Sequence, residues 1–363
     1  MKIAIDTSPV SESSDSAHKV RGVGAYIHML VTHLPKFDKK NKYVFVEDKN
    51  FPSDADLIHY PYFDPFFITL PSKFQAKTIV TVHDLTPLVF PSHFPSGIRG
   101  KIKWLIQKSR LKKADLVITD SDSSKKDVGN IVGISEDKLR TVYLAANPKF
   151  RKLSNVNGQL SIVKKFSLPE NFLLYVGDAT WNKNLTNLVS AVKKTKHKLA
   201  LAGKVWPPAQ RASGPEGSNS VTDISNNPWN DDLKKVLKVI EGDDQFIRLG
   251  FVSDEDLVKL YNIATALIMP SIYEGFGLPV LEALECGCPV ISSKGGSLVE
   301  VGGDAVYYVD YGSEDNIADG IEKIFSDSKL RADFIRRGFT QAKKFSVEKM
   351  MKDLIDIYEE TYR

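Results

Sequence analysis

Cysteine is nearly absent: the 363 residues hold only Cys286 and Cys288. Two thiols that close together, with no third to meet, cannot form an ordinary disulfide staple, so a reduced, cytoplasmic compartment is expected. No apolar run approaches the ~18 residues that a membrane-spanning helix needs. The opening Met1-Lys2-Ile3-Ala4-Ile5-Asp6 meets charge too soon for a secretory core. An excess of one charge is lacking as well. Lys plus Arg number 49 and Asp plus Glu 45, leaving +4, which excludes a dedicated nucleic-acid binder. What is there suits a globular protein. The chain is 42% hydrophobic and 26% charged, enough to bury cores, and long enough for two domains of ~100–200 residues.

Short apolar runs alternate with helical periodicity. Residues 3–5, 43–46, 57–59, 78–82 and 116–119 read as strands, and 25–34 and 98–113 as helices. A helix is also expected to start near Ser123. Such alternation predicts a mostly parallel sheet with helices on both faces. It breaks over 147–168, where Asn147-Pro148 and the polar run 154–158 stand, and then restarts. Residues 172–176, 198–202, 246–249, 266–269, 289–292 and 305–309 read as strands, and a helix starts near Leu185. The pattern predicts two successive doubly wound α/β domains. Residues 204–230, rich in Pro, Gly, Ser and Asn, fit neither and read as a surface insertion or a lid.

The stretch from Met269 to Gly287 carries the most chemistry. A strand ends near Pro270, a glycine-bearing loop follows, Pro279 suits a first helical turn, and Gly287 suits its end. Strand, glycine turn and helix N-terminus together make an anion site, because amides and the helix dipole face the loop. Glu274 and Glu282 would flank it, suited to gripping hydroxyls.

Here the sequence resembles a family. Glu274 and Glu282 around Gly275-Phe276-Gly277-Leu278-Pro279 resemble the signature of glycosyltransferase family 4, retaining enzymes of GT-B fold. Arg21-Gly22-Val23-Gly24, His83-Asp84, the run from Asp115 to Ser121, Tyr175-Val176-Gly177 with Lys183-Asn184, Leu249-Gly250-Phe251-Val252 and Gly295-Gly296-Ser297 fall in the family's order. The resemblance implies two Rossmann-like domains facing across a cleft. They would span 1–155 on the acceptor side and 156–345 on the nucleotide-sugar side, with a C-terminal helix at 346–363 packing back on the first. It places Glu274 by the donor sugar and Glu282 at the nucleotide ribose. The amides of Gly275, Phe276, Gly277 and Leu278 would meet sugar and diphosphate. Lys183 would pair with the diphosphate, Gly22 and Gly24 would close over it, His83 would reach the donor sugar, and the main chain near Val252 would meet the base. No metal or cofactor is implied, since a lysine at ~4 Å offers roughly 4 kcal/mol per charge pair at an effective dielectric constant of ~20. One departure stands out: Asn182 occupies a place where the family has arginine, leaving Arg21 and Lys204 as candidate replacements.

Other signals are weaker. Asp120-Ser121-Asp122 has a metal-binding form, yet Ser121 reads better as a helix cap. Cys286 and Cys288 read as small buried hydrophobes. Arg21–Gly24 lacks the glycine spacing of a dinucleotide loop. Residues 98–113 hold seven cations beside an apolar stripe. The stripe is expected to pack into the first domain, and the alternative is peripheral contact with an anionic membrane.

The resemblance implies a hexosyltransferase acting on a glycan or lipid-linked acceptor in surface polysaccharide assembly. His83-Asp84-Leu85-Thr86-Pro87 is similar to mannosyltransferases and favours GDP-mannose, with UDP-glucose and UDP-N-acetylglucosamine as competitors. A nucleotide-sugar epimerase of the same fold, or a weakly active nucleotide-sugar-binding protein, stays open.

Overall fold

The computed structural model describes residues 1–11, 22–154, 157–206 and 228–363. Arg21 and most of the 204–230 segment therefore lie outside the described residues. The chain divides into two compact units: Met1–Asn147 with Phe345–Arg363 as unit 1, and Pro148–Lys344 as unit 2.

Unit 1 is built on six parallel strands: β1 Lys2–Asp6, β2 Lys42–Val46, β3 Leu57–Tyr60, β4 Lys77–Val82, β5 Leu116–Thr119 and β6 Leu139–Thr141. They lie in the order β2-β1-β3-β4-β5-β6. Burial on both faces explains why the central strands read as unbroken apolar runs. Ala4, Ile58, Val80, Val82 and Val117 share one core cluster. The last helix, Val347–Tyr362, packs on the Val23–Phe37 helix of this unit.

Unit 2 repeats the plan with β7 Phe172–Val176, β8 Lys198–Ala202, β9 Phe246–Gly250, β10 Ala266–Met269, β11 Val290–Ser292 and β12 Tyr307–Tyr308. Their order is β12-β11-β10-β7-β8-β9, again parallel. In such sheets the switch in strand order leaves a crevice beyond the carboxyl ends, where ligands bind. In unit 2 the switch is at β7 and β10, and the loops that leave these neighbours carry the candidate site.

Two local readings resolve cleanly. Ser121 caps the Asp122–Asp127 helix by accepting from the Ser124 amide. Both cysteines are buried and free, and burial raises both thiols, Cys288 to about 12, which makes them inert packing groups.

One expectation is overturned. The stripe on the Gly97–Leu111 helix does not pack inward: Ile98, Ile102, Leu105 and Ile106 are all exposed, while Gly100, Gln107 and Leu111 face the unit. Buried Gln107 takes the inward side because its amide donates to the Asp64 carbonyl and the Thr69 hydroxyl.

Candidate functional site

In unit 2 the turn after β7 and the loop after β10 are laced together. The Asn182 carbonyl accepts from the Ile272 amide at 2.7 Å, and the Asn182 side chain donates to the Tyr273 carbonyl at 2.9 Å. Asn184, in the left-handed region at φ 58°, donates to the Pro270 carbonyl at 3.1 Å. Lys183 sits between these two struts, and its ammonium lies 2.9 and 2.8 Å from the two carboxylate oxygens of Glu274. Ser271 also donates to Glu274, at 2.6 Å. Thus a buried carboxylate, a lysine and a hydroxyl meet at the mouth of a glycine loop.

The loop is held from behind. Gly277, at φ 102°, begins the Leu278–Cys286 helix, whose first turn holds Pro279, and Gly287 ends it at φ 67°. The Ser297 amide donates to the Glu274 carbonyl at 3.1 Å, and its hydroxyl lies 2.6 Å from the Phe276 carbonyl. A side chain at Gly296 would put its first carbon 2.4 Å from the Glu274 carbonyl oxygen. Only glycine admits that approach.

Further along the helix, Glu282 accepts from the Tyr261 hydroxyl at 2.9 Å. Val252 is buried just past β9, and half-exposed Phe251 beside it has the Lys204 ammonium 5.8 Å from its ring centre. Asn182 is itself buried, accepting from Thr180 as well as donating to Tyr273. Its side chain serves as a strut within the unit.

Gly22, Gly24 and His83 belong to unit 1. Gly22, at φ 62°, precedes the Val23–Phe37 helix, and Gly24 is buried in its first turn. His83 lies just past β4. Its Nδ1 is 2.7 Å from Asp120, and its Nε2 is 3.0 Å from the Pro61 carbonyl. Burial alone would push His83 down, but the Asp120 carboxylate outweighs it and the imidazole is raised. The Pro61 carbonyl can only accept, so Nε2 donates to it, while Nδ1 and the Asp120 carboxyl share a proton between them.

Sequence reasoning discounted Asp120, because its partner is set by strand pairing. The register pairs Val82 with Thr119, so the next residues on neighbouring strands, His83 and Asp120, stand side by side. One Asp120 oxygen is buried without a partner among the described residues. Beneath, His59 bonds the Tyr358 and Thr81 hydroxyls at 2.8 Å each, and the Tyr26 ring meets His83 edge-on at 5.0 Å.

The glycosyl transferases group 1 family matches residues 159–341, and Glycosyltransferase Family 4 matches residues 15–150. The chain belongs to the group 1 glycosyltransferases. This glycosyltransferase is 32% identical over 305 residues to O-antigen chain mannosyltransferase B of Escherichia coli, covering 84% of this chain and 75% of that protein. It is 25% identical to the serotype-specific mannosyltransferase WbdA of Escherichia coli over 78% of this chain, but spans only 33% of that longer protein. Among solved structures, sucrose-phosphate synthase from Thermosynechococcus elongatus superposes with a TM-score of 0.75 at 19% identity, over 99% of this chain and 98% of that one. Anabaena Alr3699/HepE, in complex with UDP-glucose, superposes at 0.69 and 16% identity over 99% of this chain and 100% of that one. The fold is that of the GT-B glycosyltransferases.

Proposed function

We propose that this glycosyltransferase is a retaining hexosyltransferase that moves mannose from GDP-mannose to a glycan or lipid-linked acceptor in surface polysaccharide assembly, on the cytoplasmic side. The Lys183–Glu274 pair at the glycine loop is the observation that carries the donor site. Glu274 is the donor-sugar residue, held by Ser271 when Lys183 turns to the diphosphate. The first-turn amides of the Leu278–Cys286 helix add positive potential where the leaving diphosphate forms, so no metal is required by this reading. Gly275, Phe276, Gly277 and Leu278 line the anion, Glu282 takes the ribose and Val252 the base. Gly22, Gly24 and His83 keep the roles that the resemblance implies. The similarity to an O-antigen chain mannosyltransferase and to a serotype-specific mannosyltransferase supports mannose as the sugar and the pathway. The exposed apolar face at 98–113 supports a peripheral membrane setting.

A thermal-shift panel of GDP, UDP, dTDP, CDP and ADP, with EDTA and with magnesium, tests the donor. A nucleotide at ~100 times its dissociation constant adds about 2.7 kcal/mol. A GDP-selective shift that survives EDTA is expected, whereas a UDP-selective shift would replace the donor and a magnesium-dependent one the metal-free reading. Turnover in Glu274→Ala should fall by at least ~10². Unchanged turnover in a folded variant would remove Glu274 from the chemistry.

A further inference from the structure

One carboxylate of unit 1 is placed at a cost. Asp120 is buried, and one of its oxygens has no partner among the described residues. A charge taken out of water with half of its hydrogen bonds unmade is destabilising, and a group like that calls for a reason. An asparagine of the same shape would avoid the charge. The other Asp120 oxygen lies 2.7 Å from His83 Nδ1. The aspartate next to His83 in sequence does a different job: Asp84 accepts from the Thr86 amide at 2.8 Å, at the start of the Thr86–Val89 helix. The carboxylate that holds the His83 ring thus comes from the end of the neighbouring strand.

The ring is fixed at both nitrogens. Nε2 donates to the Pro61 carbonyl at 3.0 Å, and the His83 carbonyl accepts from the Ser124 hydroxyl at 3.0 Å, which pins the backbone too. The Pro61 bond needs a hydrogen on Nε2, and the Asp120 contact needs one between Nδ1 and the carboxyl. The pair therefore holds two hydrogens and titrates as a unit. Three more ionisable groups surround it: Asp84 on the same loop, Tyr26 from the Val23–Phe37 helix and His59 from β3. Burial keeps Tyr26 and His59 neutral. Burial also opposes a charged His83, and Asp120, with a smaller share from Asp84, outweighs it. The His83 side chain is 16% exposed while Asp120 is buried, so a ligand meets the imidazole and not the carboxylate.

We propose that Asp120 is a positioning residue of the transfer reaction, holding the His83 ring in one plane with a hydrogen on each nitrogen, so that the imidazole meets a sugar oxygen as a charged donor. Such a bond is about twice as strong as a neutral one. The Pro61 carbonyl occupies the Nε2 hydrogen until that oxygen competes for it. A carboxylate behind an imidazole sets tautomer and orientation without touching substrate. The proposal rests on the reading of His83 as a donor-sugar residue, and it adds the group that sets the state of its ring.

Two measurements on the whole chain test it across pH. One is the release of GDP from GDP-mannose with water as acceptor, or of UDP from UDP-glucose if the nucleotide panel selects UDP. The other is NMR of the labelled histidine rings, with His83→Gln assigning the signal. In the native chain kcat should fall on the alkaline side together with the titration of the His83 ring. In Asp120→Asn both should move to lower pH. That variant should lose about tenfold in kcat near pH 8, the difference between a charge-assisted and a neutral bond, with KM little changed. Its kcat should recover as pH falls and the ring regains its second hydrogen. Asp120→Ala, which frees the ring, should lose ~10²-fold at every pH. A loss in Asp120→Asn that is equal at every pH, with the ring titrating as in the native chain, would show a structural role only and overturn the proposal. If Asp120→Asn does not fold, as judged by its nucleotide-dependent thermal shift, the native ring decides: titration in the ordinary histidine range overturns the pairing. An alkaline fall that persists in His83→Gln would sink the reading of His83 itself. A fall that His83→Gln removes and Asp120→Asn leaves in place would sink only the role of Asp120.

Discussion

The two units place a glycine at the head of a helix in opposite ways. In unit 1, a side chain on Gly22 would meet nothing within 4 Å among the described residues. In unit 2, a side chain on Gly296 would run into the Glu274 backbone, and one on Gly277 would reach within 2.9 Å of Leu298. Among the described residues the first turn is open, while the second is already shaped by its neighbours. Their polar groups differ in the same sense. Unit 2 offers one ion pair at a loop mouth, whereas unit 1 gathers buried His59, partly buried His83 and buried Asp120 along its central strands.

The largest expected effect tests the rigidity of unit 2. Gly296→Ala forces overlap with backbone at a positive φ and should cost about 4 kcal/mol in urea unfolding, with loss of nucleotide binding. A cost under ~1 kcal/mol would mean that the loop yields. Next, Lys183→Ala leaves the Glu274 carboxylate without its cation. The pair is 18% and 10% exposed, so the expected loss is about 2 kcal/mol rather than the ~3–5 of a fully buried pair. Adding Glu274→Gln should recover part of it, and a double variant no better than the single would show that the pair is not coupled.

The two inner histidines of unit 1, His59 and His83, give a pH signature. Burial, with help from the charge of His83, pushes His59 down from 6.5 to about 3. The unfolded chain therefore takes up this proton first as pH falls below the mid-sixes. Stability should drop by about 1.4 kcal/mol per pH unit from there, roughly 2 kcal/mol by about pH 5. His83 is raised, so its contribution is complete below the unfolded value and fades as pH rises through the folded one. Denaturant melts of His59→Gln should be flatter on the acid side, and an unchanged slope would remove His59 as the cause. Smallest of all, Gly22→Ala should cost about 1 kcal/mol, the strain of a positive φ alone. A cost near that of Gly296→Ala would erase the contrast between the turns.

Much of the fold was legible because buried parallel strands are continuous apolar runs. Residues 116–119, 172–176, 198–202 and 266–269 were read with the bounds that the structure gives. β6, short and at a sheet edge, carried no such run. The glycine loop was legible from Pro279 and Gly287, whose backbone demands are local. The grip of Lys183 on Glu274 was not, since it depends on β7 and β10 lying side by side. Asp120 was missed for the same reason. The helix at 97–111 misled because an apolar stripe has the same period whether it faces a core or anything else. What betrayed its direction was Gln107, whose partners are on the inside.

The Tyr358 hydroxyl bonds buried His59, so a side chain near the end of the chain completes the interior of the unit that the first residues begin. On the ribosome, the whole of unit 2 is made before that hydroxyl exists. Unit 2 can therefore fold while His59, already within reach of the Thr81 hydroxyl, still lacks the partner of its second ring nitrogen.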